Sequence, residues 1–356
     1  MYSAPFEVCL NITSSCNLSC KHCLNRNLPN CEPDLSTAEL LRVIDQLAEA
    51  KVFKVNIFGG EPLVHPDFFL VVEHLNKYPL QLSLNTNGTL IDRSIAKWLK
   101  QHKIKNIAVS FDGSKQEVMD KTRGEGTFKK NIKGIESLLA EGVSVLLSAT
   151  LTKINYKDVK GMVLLAKELK ANTIRFNHVF FAGNAACFIK QVYLSPDEEL
   201  EAINEVCRAN EEFPDFIYKT STYLCQKEKL NQMKHYQPTR DKIVVSPCGA
   251  AGNKCNIRPD GWVTPCELIW DVKCGNLKQQ TLVDIWQNSQ QMNEFRRPME
   301  INLDDLPECK SCQYQYICFI GHRCYPYYYP GGVKDRSLYC WLNETQTQLK
   351  DNVIKL

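Results

Sequence analysis

Residues 7–23 read EVCLNITSSCNLSCKHC: a short apolar run, Glu7 to Ile12, followed by Cys16-Asn-Leu-Ser-Cys20-Lys-His-Cys23. Three such closely spaced thiolates can each hold one iron of a cubane cluster and leave the fourth iron open for a ligand. At this chain's cysteine frequency the spacing arises by chance only about 0.04 times. From these residues alone a structural zinc site is the alternative. Zinc needs a fourth ligand, and Cys9 or Cys31 could supply it.

Beyond this loop, short apolar or β-branched runs recur near Phe53 to Phe58, Leu80 to Asn85, Ile104 to Phe111, Val143 to Leu151 and Thr173 to Val179. Amphipathic stretches fill the intervals: Asp92 to His102, Phe128 to Ala140 and Tyr156 to Leu169, with capping-box starts at Ser36-Thr-Ala-Glu39 and Ser195-Pro-Asp-Glu198. Six strand–helix units predict parallel strands with right-handed crossovers. A closed barrel needs eight units, so the fold class is α/β, an open, partial (β/α)6 barrel with a wide mouth. In such a barrel all strand C-termini lie on one face, and active sites form there.

The chain has 356 residues, 44% hydrophobic and 23% charged, with a formal charge of +3. That balance excludes a disordered tail and leaves no electrostatic footprint for nucleic acid. No stretch approaches the ~18 uninterrupted apolar residues of a membrane helix, and Met1 to Asn11 has no signal-peptide pattern, so a cytoplasmic protein is expected. There are 17 cysteines: five in residues 9 to 31, none from Glu32 to Ala186, and nine from Cys248 to Cys340. In a reducing compartment this favours metal or iron–sulfur ligation over disulfides, in two separate regions. The organisation expected is residues 1–212 as barrel, 213–242 as a connection, and 243–356 as a small irregular cysteine-rich domain. The last has little periodicity, so ligation rather than burial is expected to staple it.

Cys-x3-Cys-x2-Cys after a first strand resembles the signature of the radical S-adenosylmethionine (SAM) enzymes. Further matches follow successive strand ends: Gly59-Gly60-Glu61-Pro62, Asn85-Thr86-Asn87-Gly88, and Ser110-Phe111-Asp112-Gly113 with Arg123-Gly124. The resemblance implies that Cys16, Cys20 and Cys23 hold a [4Fe-4S] cluster. It implies that the Gly59 to Pro62 backbone and Glu61 meet the SAM amino group, and that Ser110 and Arg123 meet its carboxylate. Asn87 and Asp112 are carried over as further cofactor-binding positions, and Asn155 as a ribose contact. Paired glycines allow close backbone approach to a ligand, and Pro62 fixes the turn. Leu24 departs from the aromatic that many relatives carry after the third cysteine.

The C-terminal cysteines resemble the SPASM extension of one branch of these enzymes, although five residues rather than three precede Cys324. By that correspondence Cys248, Cys255, Cys266 and Cys324 ligate one auxiliary [4Fe-4S] cluster and Cys309, Cys312, Cys318 and Cys340 another, three clusters in all. Two zinc sites are the alternative from spacing alone. Cys9, Cys31, Cys187, Cys207, Cys225 and Cys274 are left as small buried hydrophobes. Glu267 follows Cys266 at a place where some relatives carry a candidate general base. Tyr325 and Tyr327 to Tyr329 form an aromatic loop of packing type.

The resemblance implies an oxidoreductase that abstracts a hydrogen atom from a peptide or protein side chain, leading to oxidation or crosslinking. Only 15 residues precede Cys16, so a separate leader-binding partner is expected, together with a flavodoxin or ferredoxin as electron donor. Competing readings are sulfatase maturation (Cys or Ser to formylglycine), small-molecule chemistry such as sugar epimerisation, sugar dehydrogenation or porphyrin decarboxylation, and a zinc-stapled binding module. Anaerobic purification is expected to give a brown protein with about 12 iron atoms, four per cluster; a colourless zinc protein contradicts the assignment.

Overall fold

The computed structural model describes residues 2–27, 31–104, 106–180, 182–218, 242–245, 249–297 and 299–302. Six strands pair in parallel and in chain order: β1 (Glu7–Asn11), β2 (Lys54–Phe58), β3 (Gln81–Thr86), β4 (Asn106–Ser110), β5 (Val145–Leu151) and β6 (Thr173–His178). Between them run helices α1 (Thr37–Glu49), α2 (Phe68–Leu75), α3 (Arg93–Gln101), α4 (Gln116–Arg123), α5 (Thr127–Ala140) and α6 (Val159–Glu168). After β6 come α7 (Asn184–Cys187), α8 (Ile189–Val192) and α9 (Pro196–Glu212). Both capping boxes form, at Ser36 with Glu39 and at Ser195 with Glu198. In α1 the buried residues Leu40, Val43, Ile44 and Leu47 make one helical stripe.

Period-two alternation divides every strand. Val8, Leu10, Val55, Ile57, Ile107, Val109, Val145, Leu147, Ile174 and Phe176 are fully buried, in one core with the apolar stripes of the helices. Burying each such side chain contributes about 1.5–3 kcal/mol. The opposite, inner face is polar. Asn56, Asn85, Ser148, Thr150, Arg175 and Asn177 lie on it and keep partial solvent access. The core therefore sits between sheet and helices, and the barrel interior is a polar lumen.

Two helices escape the periodicity. FFLVVEHL of α2 has almost no polar face, and its N-cap Asp67 makes no side-chain cap. QEVMDKTR of α4 is polar nearly throughout, yet buries Met119, Thr122 and Arg123.

The region beyond residue 243 departs from expectation. β8 (Lys254–Ile257) pairs parallel to the outer edge of β1, with Val8 opposite Cys255 and Leu10 opposite Ile257. β9 (Trp262–Thr264) and β10 (Gly275–Asn276) continue antiparallel, giving a nine-stranded sheet in the order β10-β9-β8-β1-β2-β3-β4-β5-β6. β7 (Lys242–Val245) and β11 (Met299–Asn302) form a separate antiparallel pair. Within residues 249–297 burial contributes: Ala251, Ile257, Val263, Ile285 and Trp286 join the barrel's core, and Trp286 Nε1 donates to Tyr2 O at 2.9 Å. Strands of two to four residues are too short to show a period, which hid them in the sequence. Most of the expected connection, and Cys248, Cys309, Cys312, Cys318, Cys324, Cys340 and the Tyr325 to Tyr329 loop, lie outside the described residues. Among the described residues no helix is long and apolar enough to cross a membrane.

Helix α5 crosses the β3 turn at Gly134, where an added Cβ would lie 2.1 Å from Gly88 O. In an open helix Gly→Ala stabilises by ~1 kcal/mol. Here the clash with rigid backbone is expected to dominate, so Gly134→Ala should lose about 1–3 kcal/mol in denaturant unfolding. Equal or greater stability contradicts this packing.

Candidate functional site

The cysteine loop leaves β1 at the C-terminal rim. Cys20 is buried and Cys16 and Cys23 are partly buried. Leu18 N donates to Cys16 Sγ at 3.4 Å, Cys23 N to Cys20 O at 3.3 Å, and Arg26 Nη1 to Leu18 O at 2.9 Å. Burial pushes all three thiols up, Cys20 to about 11, with the Arg123 guanidinium opposing it at Cys20. Metal binding would therefore release protons. Among the described residues no three Cys, His, Asp or Glu side chains converge on a single ion. A cubane takes each thiolate on a different iron and requires no such convergence.

A clamp that the sequence did not reveal holds this loop from β6. Asn184 Nδ2 donates to Cys20 O and Asn184 N to Cys23 O, both at 2.9 Å. A Cβ on Gly183 would meet the carbonyls of Arg26, Leu24 and Cys23 at 2.5–2.8 Å. Gly183 has φ +57°, so both space and backbone conformation call for glycine there. A Gly-Asn pair just past the last strand was the available signal.

The other strand ends are laced to the loop. Glu61 accepts from Thr86 Oγ1 (2.8 Å), Asn87 N (2.7 Å) and Leu63 N (3.2 Å). Burial drives its carboxyl up to about 7, with these donors pulling the other way. Asn87 Nδ2 donates to Asn17 Oδ1 in the cysteine loop at 2.8 Å, and Asn131 Nδ2 donates to both Asn87 O and Ser110 O. A Cβ on Gly60 would stand 2.2 Å from Ser15 O, so the paired-glycine turn and the cysteine loop touch backbone to backbone. A small pocket opens beside this contact, lined in part by Asn25, Cys31 and Arg258.

Arg123, Asp112 and His22 form a buried group behind Cys20. Arg123 Nε lies 2.6 Å from Asp112 Oδ2, and Arg123 Nη1 lies 3.7 Å from Cys20 Sγ. His22 Nε2 is 3.2 Å from Asp112 Oδ2 and 3.4 Å from Arg123 Nη2. Burial lowers His22 to about 4 despite Asp112, so the ring is neutral at pH 7. Burial opposes the Arg123 charge, but Asp112 outweighs it and raises the guanidinium pKa.

Asn155 differs from its expected place as a ribose contact. Its Nδ2 donates to Asp112 O and Thr150 O, and its Oδ1 accepts from Thr152 N and Thr152 Oγ1, so a buried side chain is fully used in bracing the loops after β4 and β5.

Glu267 and Cys266 lie toward the opposite end of the lumen, since Lys254, their partner, is level with Glu7 at the start of β1. Lys254 Nζ contacts Glu267 Oε1 at 2.9 Å and Oε2 at 3.1 Å, and the Cys266 thiol donates to Oε2 at 3.1 Å. Burial works to raise the Glu267 carboxyl, but the Lys254 ammonium outweighs it and the net shift is downward. While so paired it is a weak base. Cys255 occupies the other face of β8, where its electrostatic neighbours are Cys274 and Arg296. Cys266 has Glu267 and Lys254 as its electrostatic neighbours. Cys274, read from sequence as a bystander, is the cysteine beside Cys255.

Comparison with known proteins accords with this architecture. The Radical SAM superfamily profile matches residues 10–166, and the SPASM iron–sulfur cluster-binding domain profile matches residues 248–313. The chain is 28% identical to the AdoMet-dependent heme synthase of Methanosarcina barkeri, over 96% of this chain and 97% of that one. It is 27% identical to the mycofactocin maturase MftC of Mycobacterium tuberculosis, over 88% and 77%. Its fold superposes on Streptococcus suis SuiB, solved bound to precursor peptide SuiA, with a TM-score of 0.69 at 18% identity, covering 91% of this chain and 73% of SuiB. Residues 10–166 are thus similar to the radical SAM superfamily and residues 248–313 to the SPASM iron–sulfur cluster-binding domain, the organisation of a radical SAM oxidoreductase.

Proposed function

We propose that this enzyme abstracts a hydrogen atom from a peptide side chain held in the polar lumen. One observation carries the reading: the cysteine loop, the Glu61 turn, Asn87 and Ser110 converge on one rim above an inner face of amides, hydroxyls and one arginine. When bound, the iron–sulfur cluster and SAM supply a 5′-deoxyadenosyl radical as hydrogen acceptor. Cys16, Cys20 and Cys23 would hold that cluster. Glu61 would accept a hydrogen bond from the SAM amino group, and Ser110 and Arg123 would meet its carboxylate. Arg123 further neutralises charge beside Cys20, with Asp112 fixing its fork. The lumen's polar wall would orient the peptide by hydrogen bonds, and proximity to the rim would select the C–H bond that reacts.

The SuiB complex and the mycofactocin maturase support a peptide substrate. The haem synthase, aligned over nearly the whole of both chains, favours a second reading in which the lumen takes a porphyrin. A flavodoxin or ferredoxin would supply the electron for SAM cleavage, the C-terminal cysteines would hold clusters able to accept a second electron from the substrate radical, and a separate leader-binding partner would present the peptide.

Incubation with SAM and a reductant is expected to release 5′-deoxyadenosine, and Cys20→Ala to abolish the release; turnover surviving in that variant contradicts the cluster assignment. Glu61 bears on binding itself. With its carboxyl near 7 before ligand arrives, the ionised form, which accepts the amino group's hydrogen bonds, grows as pH rises. SAM affinity is therefore expected to increase from about pH 6 to pH 8 as the carboxyl ionises. Glu61→Gln should flatten that rise and weaken binding about 10- to 100-fold, the range for a charged hydrogen bond. An unchanged affinity and pH profile in Glu61→Gln contradicts the role.

A further inference from the structure

Arg175 lies on the lumen face of β6, level with Ser148 of β5 and, through Ser148, with Ser110 of β4. Its Nη2 donates to Ser148 Oγ at 3.1 Å, and its buried Nε has no acceptor among the described residues. Ser148 Oγ also accepts from Asn177 Nδ2 at 3.0 Å. With two bonds accepted, the Ser148 hydroxyl is left to donate.

The other lumen charges are matched: Lys54 with Glu7 at 3.1 Å, and Lys254 with Glu267 at 2.9 Å. Among the described residues Arg175 has no carboxylate in ion-pair contact. Glu267 attracts it only at a distance and is held by Lys254. Burial accordingly lowers the guanidinium pKa, yet an arginine stays protonated. A buried, uncompensated cation is costly, and the cost is relieved when an anion completes the pair. The planar fork matches a carboxylate in two-point geometry.

We propose that Arg175, with Ser148, is a carboxylate subsite for the substrate. The proposal deepens the reading of the lumen as substrate chamber and rests on it. The carboxylate belongs to an acidic peptide side chain or, on the second reading, to a porphyrin. SAM also carries a carboxylate, and Ser110 lies two strands away, so the test must separate these sources.

The experiment is calorimetric titration of the anaerobic, SAM-saturated holoenzyme with two probe pairs: Ac-Ala-Glu-Ala-NH2 against Ac-Ala-Gln-Ala-NH2, and coproporphyrin against its methyl ester. The acid of at least one pair is expected to bind about tenfold or more tightly than its neutral counterpart. Arg175→Gln should erase that preference and Ser148→Ala should reduce it, while SAM affinity and substrate-free 5′-deoxyadenosine release stay unchanged in both variants. The pair that discriminates identifies the source. Absent or equal binding within both pairs, or a preference surviving in Arg175→Gln, overturns the proposal. A loss of SAM affinity in Arg175→Gln also overturns it, by assigning the guanidinium to SAM. Unchanged substrate-free release alongside lost discrimination separates failure of this subsite from failure of the radical chemistry.

Discussion

Every strand of the barrel is divided by the two-residue period of extended backbone, and the two faces have opposite chemistry. Val55 and Ile57 turn to the helices while Asn56 turns inward; Leu147 and Ala149 flank Ser148; Ile174 and Phe176 flank Arg175. The apolar face supplies the stability, because its side chains are wholly withdrawn from water with the helices. The inner face is thereby freed from packing duty. Its polar groups satisfy one another across neighbouring strands, as in Asn85 to Asn56 and Asn11 to Asn256 at 2.7 Å each. A one-residue slip in any strand would exchange the faces and destroy both core and chamber.

The rim depends on that frame. A cysteine loop of eight residues from Cys16 to Cys23 has no regular secondary structure of its own, so its backbone bonds must come from elsewhere. Asn184 reaches it from beyond β6, Asn17 joins it to Asn87, and Thr122 O accepts from Lys21 N. These are long-range contacts on rigid strand ends, which is how a loop is held to the tolerance radical chemistry requires. The buried Arg123–Asp112 pair serves the same end, with Asn155 bracing Asp112 from behind.

Much of this was legible in the chain. The six parallel strands, both capping boxes and the gathering of strand-end motifs on one face follow from periodicity and from the position of Cys16, Glu61 and Ser110 after their strands. Helix α2 was not legible because its exposed side carries Phe69 and Leu70 and so shows almost no polar face, and α4 because it is polar nearly throughout although it buries Met119, Thr122 and Arg123. The addition of β8 to β1 links residues some 250 apart through a four-residue strand, a pairing with no local sequence signal. Spacing along the chain likewise does not say on which face of β8 the Cys255 thiol emerges, which hid its neighbour Cys274. Arg175 stood in plain view as a charge in an apolar run, but its want of a carboxylate partner among the described residues is a property of the fold and not of the sequence.

Central to the proposal is that a cluster held by Cys16, Cys20 and Cys23 would leave one iron open at the rim, where the SAM amino group would bind. Electron–nuclear double resonance of the reduced protein, with SAM carrying a heavy-nitrogen label on that amino group, tests this most directly. The account predicts a nitrogen hyperfine coupling to one cluster that disappears in Cys20→Ala. A reduced cluster showing no coupling to bound, labelled SAM would contradict it.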